Sequence, residues 1–63
     1  MHLKEIIPNL NKQVMYKNTE YTLIGSIVRK HNLTGEIYYT AEILDKNKNS
    51  VCIVGLEDIT ACL

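Results

Sequence analysis

Residues 21–46, YTLIGSIVRKHNLTGEIYYTAEILDK, decide the fold, because two alternating apolar runs flank a single turn. Asn32-Leu33-Thr34-Gly35-Glu36 fits a three-residue hairpin loop, with Gly35 supplying the left-handed position after a type I turn. That register sets His31 opposite Ile37, Arg29 opposite Tyr39, Ile27 opposite Ala41 and Gly25 opposite Ile43. Residues 36–46 then alternate with period two. Ile37, Tyr39, Ala41 and Ile43 fall on one face, and Tyr38, Thr40, Glu42 and Leu44 on the other. Gly25 interrupts the preceding strand, residues 21–30, where a glycine marks a kink, a bulge or a close backbone approach.

The pattern extends in both directions. Lys46-Asn47-Lys48-Asn49-Ser50 repeats the loop logic, with Asn49 in the role of Gly35, and pairs Ile43 with Ile53 and Leu44 with Cys52. Leu56-Glu57-Asp58-Ile59 reads as a terminal 3-10 turn, since acidic residues are favoured in a first turn. Upstream, Val14 and Tyr16 alternate with Met15 and Lys17 in a short strand, and Lys17-Asn18-Thr19-Glu20 forms the turn after it. Leu3, Ile6, Ile7 and Leu10 recur at helical spacing. Pro8 lacks an N–H and restricts Ile7, so one or two helical turns should end before it, followed by an irregular link to Lys12.

These registers leave apolar side chains on both faces of one sheet. Tyr21, Leu23, Ile27, Ile37, Tyr39, Ala41, Ile43, Val51 and Ile53 form the expected core. Ile24, Val28, Leu44, Cys52, Val54 and Leu56 gather opposite, interrupted by Thr40 and Glu42. A sheet with one solvated face does not carry a second apolar set, so the sheet bends at Gly25 or something covers its back. The stripe of Leu3, Ile6, Ile7 and Leu10 is one candidate cover, and a partner is the other. The expected partner-binding residues are Ile24, Val28, Lys30, Tyr38, Thr40, Glu42, Leu44 and Val54. The strand edges 14–17 and 51–56 offer a further route, by adding to a partner's sheet.

A short first strand, a long kinked second strand, two tight hairpins and a terminal turn ending VCIVGLEDI resemble the small Src-homology-3-like (SH3-like) β-barrels, over roughly residues 13–60. The resemblance implies a mainly β fold: a small barrel or strongly bent antiparallel sheet of four or five strands, with a short N-terminal helical turn. It implies no functional residue. The Trp and acidic loop used for proline-rich peptides are missing, as is the aromatic cage of methyl-lysine readers. One domain is expected over residues 1–63, with the helical turn and link in 1–12 and the barrel in 13–60.

Function classes are narrowed by what is missing. Gly25, Gly35 and Gly55 are isolated, so no loop cradles phosphate, and no nucleophile elbow or metal-ligand spacing occurs. His31 sits at a hairpin end, and Glu57-Asp58 suits a helix start better than general acid–base work. We therefore expect no enzyme, no cofactor and no metal. Cys52 and Cys62 are too few for a disulfide framework, and no signal segment or membrane span is read, which points to the cytoplasm.

Net charge is zero, yet residues 1–30 carry five cations against two anions, and residues 31–63 two against five. Such asymmetry can steer a charged partner or pair protomers head to tail, although the two halves interleave in a compact domain. The expected function is non-catalytic protein binding, to another protein or to itself as a homo-oligomer. Size and composition suggest an accessory, regulatory or inhibitor protein like those of phages and mobile elements. The alternative is a nucleic-acid-binding barrel using Tyr38 with Lys30 and Arg29, against which stand Glu42 on the same face and the neutral charge.

Overall fold

Tight turns at three points fold the chain back on itself. In the computed structural model, which describes residues 1–62, β1 (Gln13–Tyr16) meets β2 (Thr19–Lys30) through Lys17-Asn18. Both turn residues have positive φ, the two-residue hairpin geometry that Asn tolerates well. β3 (Ile37–Asp45), β4 (Ser50–Gly55) and β5 (Thr60–Ala61) complete one open antiparallel sheet in the order β4-β3-β2-β1-β5. The 3-10 turn Leu56–Asp58 carries the chain from β4 back to β1, where Ala61 pairs with Val14. The fold is therefore mainly β, as expected. The 14–17 edge is not free, because β5 flanks β1 at Val14 and Met15.

Both long hairpins have loops one residue longer than the three-residue reading. Lys30 pairs with Ile37 and Asp45 with Ser50, leaving four-residue loops, 32–35 and 46–49 when the His31–Glu36 backbone bond is counted. Side-chain acceptors explain the extra residue. Asp45 Oδ1 accepts the N–H groups of Asn47 and Lys48 at 3.0 and 3.3 Å, and His31 Nδ1 accepts that of Leu33 at 3.3 Å. Gly35 and Asn49 hold the left-handed positions assigned to them.

A one-residue slip moves a whole strand's side chains to the opposite face. Val51 and Ile53 therefore join Leu44 and Glu42 on the back, while Cys52 and Val54 face the core with Ile43 and Ala41. In β2 the ladder shifts between Leu23 and Gly25, and Ile24 is the extra residue of a β-bulge. Above the bulge, Val28 shares the core face with Tyr39, and Ile27 lies on the back with Thr40. Below it the slip is cancelled, so Tyr21 and Leu23 keep the core face expected of them. Both faces do carry apolar side chains, but the expected membership is exchanged at Ile27, Val28, Val51, Cys52, Ile53 and Val54, and Leu56, expected on the back, is buried in the core.

The core is Ile6, Val14, Leu23, Ala41, Ile43, Leu56 and Ile59, with Tyr16, Tyr21, Tyr39, Cys52 and Val54 packed against it. The N-terminal segment caps this front side and not the back. A 3-10 turn, Leu3–Glu5, runs into a single α-helical turn α1 (Ile6–Asn9), from which Ile6 alone is buried while Leu3, Ile7 and Leu10 stay exposed. Pro8 lies inside that turn instead of after it. In a first turn its missing N–H leaves no hydrogen bond unmade. The link then docks on β2 through Asn11 N–H to Leu23 O at 2.7 Å and Leu23 N–H to Lys12 O at 2.9 Å. The N-terminal ammonium of Met1 donates to Leu56 O and Ile59 O at 3.1 and 2.8 Å, tying the start of the chain to the terminal turn.

Candidate functional site

Unequal strand lengths leave an opening in the surface. β4 ends at Gly55, opposite Thr40, whereas β3 begins three residues earlier. Ile37, Tyr38 and Tyr39 are therefore paired with β2 on one side and with no strand on the other. A groove of about 660 Å³ lies along this gap. Ile37, Tyr38, Tyr39 and Thr40 form its floor, Met1, His2 and Leu3 one wall, and Gly55, Leu56 and Glu57 the other. The bonds from Met1 to Leu56 and Ile59 join the two walls.

Its chemistry is that of a binding surface. Ile37 is 63% exposed and Tyr38 is 44% exposed, so the floor presents apolar and aromatic area to water. Thr40 is buried, its Oγ1 donating to Ile27 O at 3.4 Å and its own carbonyl accepting from Ser26 Oγ at 2.8 Å, which fixes the inner end of the floor. His2 and Glu57 are exposed at the rim. No buried side-chain polar atom in the described residues lacks a partner, and no group of three or more metal-ligating side chains gathers among them. Cys52 and Cys62 are free thiols, and among the described residues no helix is long and apolar enough to cross a membrane.

The eight residues expected to bind a partner are divided by the structure. Tyr38, Thr40, Glu42 and Leu44 share the back face, and the first two line the groove. Val28 and Lys30 lie on the core face of the outer half of the hairpin, where Val28 is 65% exposed. Val54 packs against the core, and Ile24 is the unpaired bulge residue. Arg29, rather than Lys30, stands directly across from Tyr38.

Ile37, Tyr39, Met1, Leu3 and Glu57 were missed as site residues. A signal for the first two was present. Counting back from Gly55 through the second hairpin leaves the first three residues of β3 without partners. No family model, curated protein or solved structure matches the chain.

Proposed function

We propose that this chain is a non-catalytic protein-binding module of the small SH3-like barrel type, and that its groove takes an extended segment of a partner protein. The carrying observation is the open side of Ile37–Tyr39, where backbone without a neighbouring strand meets exposed apolar and aromatic side chains. A strand added there gains main-chain hydrogen bonds from β3, and its alternate side chains meet the two walls. Support for the barrel comes from the kink at Ile24 and from β5 returning to β1 across a 3-10 turn. An accessory, regulatory or inhibitory role follows from binding without catalysis.

The test is selection of displayed peptides on the folded chain, followed by amide NMR with the selected sequence. Shift changes at Ile37–Thr40 and Gly55–Glu57, with slowed exchange of the Tyr38 or Tyr39 amide, are expected. Failure to select any peptide, or changes confined to other surfaces, refutes the groove as the site.

A second reading, single-stranded nucleic acid, is favoured by one observation. Arg29 and Tyr38 are direct cross-strand partners, so a cationic and an aromatic residue stand at the same ladder position. Anisotropy titrations with labelled DNA and RNA at low salt separate the two readings. Nucleic-acid binding predicts affinity that falls steeply with salt and with Arg29→Ala.

A further inference from the structure

Strand β4 is a free edge of the sheet, and its sequence, SVCIVG over Ser50–Gly55, holds neither a charge nor a proline. Water-exposed edges are ordinarily guarded by Lys, Pro or a bulge, because their unpaired N–H and C=O groups recruit another strand. β4 has none of these guards. Its pairing with β3 runs without a shift, and Val51 and Ile53 are 53% and 51% exposed on the back face. The charges stand at its two ends instead. Lys46 and Lys48 lie in the loop before it, Glu57 and Asp58 in the 3-10 turn after it, and all four are exposed.

We propose that β4 pairs antiparallel with β4 of a second copy of this chain, joining two sheets across a two-fold axis. The charge pattern selects both the occupant and the direction. In a two-fold pairing the strands run oppositely, so the lysine end of each copy lies beside the acidic end of the other, twice over. A parallel pairing brings like charges together at both ends. Directly opposite residues of an antiparallel ladder share a face, so the symmetric arrangement centres on one residue and keeps the back faces continuous. Centred on Cys52, it sets Val51 against Ile53 of the second copy. This edge is distinct from the gap at Ile37–Tyr39, so the dimer stands or falls independently of the groove.

Light scattering from micromolar to millimolar concentration reads the mass, which should rise to twice the 7.2 kDa of one chain. Two variants test the ends: Lys46→Glu with Lys48→Glu, and Glu57→Lys with Asp58→Lys. Each alone sets like charges together and should weaken the dimer by about tenfold or more, while an equal mixture restores complementarity and forms the heterodimer. Lys12→Glu with Lys17→Glu, at the β1 side of the sheet, gives the same net charge as the first variant and should leave the dimer unchanged. Ile53→Lys, at an exposed position, should give a folded monomer by circular dichroism. A wild-type chain that keeps the mass of one copy throughout overturns the proposal. So does a dimer that Ile53→Lys leaves intact, or one whose Kd responds to net charge alone.

Discussion

Below the bulge at Ile24, the β2–β3 ladder sets Leu23 opposite Ile43, and both side chains are fully buried. Above it, the same ladder sets Val28 opposite Tyr39 and Lys30 opposite Ile37, and Val28 and Ile37 stand mostly in water. Residue types hardly differ between the halves, since both are rich in β-branched and aromatic side chains. What differs is what lies over them. α1, the 3-10 turn Leu56–Asp58 and Ile59 close over the inner half, whereas beyond Ala41 only Tyr39 of the outer half packs against this core among the described residues. One hairpin thus carries both the structural centre and the exposed arm, and burial ends not at the bulge but beyond Ala41 and Thr40, which lie above it.

The sharpest way to break this division is truncation on each side of it. Leu23→Ala or Ile43→Ala removes a fully buried side chain and should cost about 2–5 kcal/mol. For a chain of 63 residues that is about half of the total stability, since domains hold roughly 0.05–0.15 kcal/mol per residue. Val28→Ala and Ile37→Ala should stay within about 0.5 kcal/mol of wild type. Urea unfolding at constant m-value measures all four. Comparable losses at Ile37 and Ile43 mean that the arm is packed, and the groove is then not a free surface.

The class of fold was legible because period-two alternation survives a register error. Ile37, Tyr39, Ala41 and Ile43 share a face in β3 whatever the loops do. The faces of β2 and β4 were not legible in the same way, because they hang on loop length, and a side-chain acceptor changes loop length by one. Asp45, two residues before Asn47, carried that information in the sequence, and the reading of Lys46–Ser50 as a loop passed over it. Gly25 announced a distortion but not its size, and the extra residue Ile24 reverses the parity of everything beyond it. The groove was hidden for a further reason. It arises from the mismatch of two strand ends and from the return of Met1 to Leu56, a contact between the two ends of the described chain. Local periodicity carries no trace of such a contact.

Intermediate effects belong to the two loops, which separate the arm from the second hairpin. Gly35 holds φ +74°, so Gly35→Ala at the tip of the arm should cost about 1–2 kcal/mol. Asp45→Ala removes an acceptor shared by two backbone N–H groups and should cost about 1 kcal/mol. His31→Ala loses one 3.3 Å bond in an exposed loop and should cost less than about 0.5 kcal/mol. A reversed ranking of Asp45 and His31 shows that the arm's loop, and not the second hairpin's, sets the register.

The smallest expected change lies at the bulge itself. A Cβ at Gly25 approaches Glu42 Oε1 to 2.7 Å, but that oxygen is the far end of a flexible, half-exposed side chain that can swing away. Replacing a strand glycine also removes backbone freedom from the unfolded chain, a gain of roughly 0.4–1 kcal/mol where the native backbone accepts a side chain. The two effects oppose each other, so Gly25→Ala should change stability by less than about 0.5 kcal/mol, within the range of the lower figure for that gain. Glu42→Ala removes the obstructing carboxylate, and in that background Gly25→Ala should become stabilising by about 0.5–1 kcal/mol. The difference between the two backgrounds measures how firmly Glu42 is held across the bulge. If Gly25→Ala costs several kcal/mol in both, the backbone at the bulge cannot accept a side chain, and Gly25 itself, not only the extra residue Ile24, holds the two halves of the hairpin apart.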